Sequence, residues 1–343
     1  MSTARGHHWV SQTYLARFTA DGKKDSKLYV VDLDQRKVFS TTPANVCKQR
    51  DFNRVESDEL APDALEVALS KFEDLLAPAL TEILLAPELT SWDNWNTVLN
   101  FMALLSVRNP IVRSHVQKRA EEHWIKTIED ATDTPEKYAA LVAKAQAAGD
   151  VAKDAKPDFE KHRAFLSKRQ FTVEFPHGTF VPTEFDIVDD LIPTLGRRNW
   201  VIVQAAKDSG GFVTTDRPVT PCRRDGKLPS AEHPADYNSQ DTLVLFALSP
   251  KLLAIGYPGD NERPPRLADA DRNLVARANF DMIRVCQKQI FAPDDSFEVR
   301  RSPKAPVFAG GKILDLFGER VGPGTTSVKE AIRKYVRTKN AGR

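Results

Sequence analysis

"NWVIVQAAKDSGGFVTTDRPV", residues 199–219, is the stretch on which the fold turns. Its two flanks carry the β-branched and aromatic residues that suit a pleated, half-buried surface, and "KDSGG" between them is turn chemistry. The glycines of "SGGF" at 209–212 adopt positive φ at no steric cost, so the stretch predicts a strand, a hairpin turn and a second strand. Downstream, "TLVLFALSPKLLAIGY" (242–257) predicts two more strands around Ser249–Pro250, and "DADRNLVARANFDMIRVCQKQIF" (269–291) predicts a helix with Leu274, Ala278, Met282 and Cys286 on one side. Immediately upstream, "RQFTVEFPHGTFVPTEF" (169–185) reads as extended and "DIVDDLIPTL" (186–195) as a short helix.

At the other end of the chain "SKLYVVDLDQRKVFSTT" (26–42) alternates and turns, as a β-hairpin does. Helical spacing follows. Leu65, Leu69, Phe72 and Leu76 form one stripe, and Pro78 predicts a kink or two helices in series. Ser91 is placed to cap a helix bearing Trp95, Val98, Leu99, Met102 and Leu105, and Pro110 ends it. Residues 134–169 are rich in Ala and Lys with few bulky apolar groups, which predicts exposed helices. Strands at both ends and helices between them predict the α+β class, with a mixed sheet built from N-terminal and C-terminal segments around a large helical middle. The expected layout is one domain over 1–300, an exposed helical insertion near 133–168, and a basic tail over 301–343. Ser327 and Glu330 form a capping box for a terminal helix in that tail.

Composition narrows the function classes. Hydrophobic residues make up 41% and charged residues 28% of the 343, ordinary for a globular protein. No apolar run reaches the eighteen residues a membrane span requires, and no secretory signal opens the chain. Cys47, Cys222 and Cys286 lie far apart without CxxC spacing, which suits a reducing compartment and places the expected location in the cytoplasm. The net charge of +2 is uneven: residues 298–343 hold 11 Lys and Arg against 4 acids, a surplus of 7, leaving −5 on the rest. A basic tail of this kind can meet phosphate, which makes nucleic acid the candidate partner and not a membrane, or it is simply a solvated terminal helix. Phosphate-loop, dinucleotide-binding, zincin and nucleophile-elbow motifs are all absent from the sequence.

The candidate polar sites are few. In "GHHWVSQTYLARF" (6–18), Trp9, Tyr14, Leu15 and Phe18 tether His7 and His8 to a core, and an imidazole titrating near neutrality serves as acid, base or metal ligand. Glu66 and Glu73 are two helical turns apart and share a face, as two metal-binding carboxylates would, or as a solvated helix face would. Asp216 ends a strand beside Thr214, Thr215 and Arg217, placed to bind metal, orient a base or cap the turn. Arg108, Asn109 and His115, an R-N-x₅-H arrangement, resemble the Arg-polar-x₄₋₆-His motif of HEPN ribonucleases, in which a guanidinium holds phosphate and an imidazole moves the proton.

Taken in order, "HHWVSQTYLARF", "LYVVDL", "ALEVALSKFEDLLAPALTEIL", "FMALLSVRNPIVR", "WVIVQAAKDSGGFVTTDRPV" and "LFALSPKLLAIGY" resemble the blocks of the bacterial domain of unknown function 4238 family. Ser11 stands where that family usually carries proline, and Arg217 where it usually carries asparagine. The resemblance implies no activity, but it gathers His7, His8, Gln12, Glu66, Glu73, Arg108 and Asp216 into the matching blocks.

Three functional expectations follow. The first is a metal-dependent hydrolase of phosphodiesters or nucleic acid, a phosphodiesterase or nuclease. Its catalytic residues would be His7, His8, Glu73, Arg108 and Asp216, its Mg²⁺ or Mn²⁺ ligands His8, Glu66, Glu73 and Asp216, and its substrate contacts Gln12 and Arg217. The alternative is a non-catalytic binding or regulatory protein, for example in a bacterial defence or stress module. The third is a HEPN-like ribonuclease, with Arg108 and His115 facing each other across a helical dimer.

Overall fold

The computed structural model describes residues 5–56, 58–169, 171–227, 235–260 and 263–317. The expected terminal helix and its capping box at Ser327 and Glu330 lie outside the described residues, as does most of the basic tail.

The N-terminal part contributes β1 (Gly6–His8), α1 (Gln12–Leu15), the hairpin β2 (Leu28–Asp32) and β3 (Lys37–Thr41), and β4 (Lys48–Arg50). The helical middle follows as α2 (Ala64–Leu85), α3 (Trp92–Val107), α4 (Pro110–Ala131), α5 (Pro135–Ala148), α6 (Phe159–Lys168) and α7 (Val181–Gly196). The C-terminal part holds β5 (Asn199–Ala205), β6 (Thr214–Thr215), β7 (Thr220–Arg223), β8 (Thr242–Ser249), β9 (Leu252–Tyr257), β10 (Arg266–Ala270), α8 (Arg272–Ile283), β11 (Gln289–Ala292), β12 (Glu298–Arg300), β13 (Val307–Ala309) and α9 (Ile313–Leu316). The class is α+β.

Two main sheets carry the core. One, ordered β10-β5-β9-β8-β7, is mixed: β10 and β5 run parallel and the other neighbours antiparallel. The other, ordered β3-β2-β11-β6, joins N-terminal and C-terminal segments and is antiparallel throughout. The expected single sheet is therefore divided, and the parallel pair lies in the sheet that draws only on the C-terminal part. β8 and β9 are buried almost along their whole length, as strands covered on both faces are. One continuous apolar cluster runs from Val10 to Ile313 through both sheets and α2, α3, α7 and α8.

The 199–219 stretch is not a hairpin. β5 pairs with β9 and β10, whereas β6 pairs with β11 in the other sheet. Gly210 and Gly211 do take positive φ (68° and 84°), but they carry the chain through a gap rather than back on itself. A Cβ on Gly210 would stand 1.9 Å from the Ser296 carbonyl oxygen, and one on Gly211 2.6 Å from that of Pro250. Phe212 N–H closes the passage by donating to the Pro250 carbonyl at 2.8 Å.

Other expectations are corrected locally. The 269–291 helix ends at Ile283, and "QIFA" forms β11. The 169–185 stretch forms no strand among its described residues, and α7 begins inside it at Val181 with Pro182 in its first turn. α2 continues through Pro78 as one helix. Ser91, Asn109 and Thr134 cap α3, α4 and α5, each accepting a backbone N–H. α5 buries none of its residues and α6 only Leu166, so this part of the chain stands out from the core. No helix among the described residues is long and apolar enough to cross a membrane.

Candidate functional site

The opening segment is seated at the joint between the two sheets. The Tyr14 phenol donates to the Ala247 carbonyl of β8 at 2.7 Å and shares a hydrogen bond with Thr214 Oγ1 of β6, also at 2.7 Å. Its ring stacks on Phe246 with centroids 5.2 Å apart, and burial pushes the phenol's pKa up. Leu15 and Phe18 are fully buried, which stabilises the segment by about 1.5–3 kcal/mol each. Ser11 accepts the Thr13 N–H at 3.1 Å as the N-cap of α1, which a hydroxyl at this position provides. This anchoring holds the three-residue β1 against β4, with His7 opposite Gln49 and His8 opposite Lys48.

The two histidines part company at once, because neighbours in a strand face opposite ways. His7 is buried, and its Nδ1 accepts the Asn53 N–H at 2.8 Å, so that nitrogen is committed to the backbone. His8 faces a cleft of about 180 Å³ lined with Gln12, Lys24, Asn53, Glu66, Leu69, Ser70 and Glu73. Gln12 Nε2 lies 3.4 Å from His8 Nδ1, while His8 Nε2 is buried without a partner in hydrogen-bonding geometry. Burial lowers the His8 pKa and outweighs the Ala44 carbonyl, the next influence, which raises it; Lys48 then lowers it, and Glu66 and Glu73 raise it. The ring is held towards its neutral, basic form.

Both carboxylates of the cleft are fixed from behind. The Thr13 hydroxyl donates to Glu73 Oε2 at 2.8 Å, and Asn53 Nδ2 to Glu66 Oε2 at 2.5 Å. Asn53 is the hub: its N–H is held by His7 and its Oδ1 accepts from the Arg108 guanidinium. Arg108 in turn lies 3.9 Å from Glu184, a fully buried acid that Arg113 grips through Nε at 2.5 Å and Nη2 at 2.7 Å. Burial pulls the Arg108 pKa down to about 10, and Glu184 limits the fall.

Of the expected site residues, His8, Gln12, Glu66 and Glu73 therefore line one cleft. The others do not. Arg108 is only 5% exposed and acts on the cleft through Asn53, so it is a positioning group rather than a phosphate contact. The Asp216 carboxylate accepts three backbone N–H groups, from Gln287 (2.8 Å), Lys288 (2.7 Å) and Gln289 (3.0 Å), which makes it a staple between the β6 turn and β11. Arg217 follows it in the same turn, its N–H donating to Thr215 Oγ1 at 3.1 Å, away from the cleft lining. The expected metal set of His8, Glu66, Glu73 and Asp216 is split for that reason. Among the described residues no three His, Cys, Asp or Glu side chains converge as a metal site. The HEPN pairing expected from the sequence lies across a helical dimer; in the single chain Asn109 caps α4, Arg108 faces inward and His115 faces solvent.

Asn53, Thr13, Lys24, Ser70, Arg113 and Glu184 were not singled out by the sequence. Only Glu184 leaves a trace there: it falls on the stripe of Val188 and Leu195, and an acid on a buried stripe demands a cationic partner. A larger hollow of about 290 Å³ lies by Arg197, Arg198 and Tyr237. Its buried cation, Arg198, donates through Nη1 and Nη2 to the carbonyls of Thr242, Gly256 and Tyr237, which leaves only its Nε without a partner.

The model of a family described as a protein of unknown function, DUF4238, matches residues 6–296. No curated protein and no solved structure matches the chain.

Proposed function

Since the chain belongs to the DUF4238 family, whose description assigns no activity, its own geometry has to carry the reading, and we propose that the His8 cleft is a hydrolytic site for phosphodiesters, with nucleic acid as the substrate class. The observation that carries it is the meeting of a neutral-leaning imidazole with two carboxylates, each fixed by its own donor, in one open cleft. In this reading His8 takes a proton from water, the water oxygen bonds to phosphorus, and the phosphorus–oxygen bond to the leaving group breaks. The imidazolium then returns the proton to the leaving alkoxide. Glu66 and Glu73 orient the water, and Lys24 meets the phosphoryl oxygens. The basic tail raises encounter rates in a salt-dependent way. Three buried cysteines, none of them in a disulfide, support a reducing compartment such as a bacterial cytoplasm.

The test is incubation of labelled DNA and RNA with the full chain, with and without Mg²⁺ or Mn²⁺, alongside His8→Ala and Glu73→Gln. Cleavage lost in His8→Ala at unchanged melting temperature is expected, whereas cleavage that survives it removes the reading. The alternative, a non-catalytic protein that binds a partner, is favoured by the apolar groups left outside on α4–α6. Trp124 is 45% and Phe165 52% exposed there.

A further inference from the structure

Asn53 lines the His8 cleft, and the residue before it, Phe52, lines a second hollow of about 180 Å³ together with Arg113, Gln117, Phe175, His177 and Phe180. Two consecutive residues thus form the wall between the two spaces, and their Cα atoms are only ~3.8 Å apart. The second hollow is flat-sided. Phe175 and Phe180 meet edge to face with centroids 5.0 Å apart, and the Arg113 guanidinium lies over the Phe52 ring, 3.8 Å from its centroid. At about 180 Å³ it is smaller than the ~300–1,000 Å³ of pockets for drug-sized ligands, so it has room for one ring system.

The walls are built into the fold. Glu56 N–H donates to the His177 carbonyl at 2.8 Å, and His177 N–H returns a bond to Glu56 Oε2 at 3.1 Å. Gly178, at φ +88°, lies so close beside this pairing that a Cβ would stand 2.9 Å from the Val55 Cα. Arg113 is locked by Glu184 through two N–H groups and by the Phe52 carbonyl through a third. A guanidinium has five such donors, so two remain on a side chain that lines the hollow. The exposed Gln117 amide adds a donor and an acceptor at the edge. Aromatic faces with donors at one edge match a planar ring that carries acceptors on its rim.

We infer that this hollow receives the heterocycle of a nucleotide, stacked against Phe175 and Phe180 beside the Phe52 ring that Arg113 covers, while the attached phosphate reaches around the Phe52–Asn53 wall to the His8 cleft. The inference rests on the phosphodiester reading of that cleft and adds the part of the substrate that selects it. Isothermal titration of the full chain with adenosine, uridine and ribose 5-phosphate, for wild type, Phe180→Ala and Gln117→Ala, tests it. A nucleoside is expected to bind, with affinity falling about tenfold or more in Phe180→Ala, the scale of one lost stacking contact. Gln117→Ala, an exposed position with no core role, is expected to weaken nucleoside binding while leaving melting and ribose 5-phosphate binding unchanged. It decides the matter if Phe180→Ala does not fold. No nucleoside binding by the wild type, or binding that Gln117→Ala and a folded Phe180→Ala leave untouched, overturns the inference. Methyl p-nitrophenyl phosphate separates the two proposals. Its hydrolysis without nucleoside binding refutes the hollow and keeps the cleft; nucleoside binding without any phosphodiester cleavage does the reverse.

Discussion

Asp216→Ala is the substitution that most sharply separates a structural from a catalytic aspartate in this chain. The carboxylate is buried to 3% exposure and accepts the N–H groups of Gln287, Lys288 and Gln289. A hydrogen bond to a charged group contributes about 1.5–3 kcal/mol, so three would sum to roughly 4.5–9 kcal/mol. The three donors are only part-buried, and water recovers some of that loss, which brings the expected cost to about 3–5 kcal/mol. Set against a total of about 5–15 kcal/mol for a folded protein, this is a large fraction. The damage is local in origin but broad in effect, because the staple ties β6 to the start of β11, where the N-terminal and C-terminal segments join. Urea unfolding followed by tryptophan fluorescence reads it as a lower midpoint at unchanged slope. Asp216→Asn keeps one accepting oxygen and is expected to lose about half as much. A variant Asp216→Ala within about 1 kcal/mol of wild type, yet devoid of phosphodiester cleavage, would refute the structural assignment and return Asp216 to the site.

Gly210→Ala should cost at least about 3 kcal/mol in the same unfolding assay, since its Cβ would lie 1.9 Å from backbone and its φ of 68° is already unfavourable for alanine; a neutral result would mean the sheet-to-sheet passage is drawn wrongly. For His8, burial sets the folded pKa below the ordinary 6.5, so at acid pH the unfolded state takes up the proton first. Its share of stability is complete above pH 6.5 and is given up as pH falls below it, and the acid limb of any kcat/KM profile should bend below 6.5; a bend above that value would exclude His8 as the base.

Periodicity and punctuation made much of the fold legible along the chain. The β2–β3 hairpin, the β8–β9 pair and the cap at Ser91 all rest on interactions within a few dozen residues, which a local pattern records. The same holds for the seating of Tyr14, Leu15 and Phe18, whose type alone demands burial. What the pattern could not show is where a strand goes to find its partner. β6 and β5 look like two arms of one hairpin, and β11 looks like the tail of a helix, yet β11 is the strand that joins β2 to β6 across the length of the chain. Its four residues are too few to display a period, and its place depends on contacts with residues more than two hundred positions away.

The site divides along the same line. The sequence alone presented His8, Gln12, Glu66 and Glu73 as candidates, and they line one cleft because β1, α1 and α2 are each placed by apolar residues visible in the pattern. Tertiary structure alone decided that Asp216 and Arg108 face inward, that Asn53 links His7, Glu66 and Arg108, and that Phe52 turns to a separate hollow. A polar residue's type says what it can bond, but which donors reach it in the folded chain determines whether it remains available for chemistry.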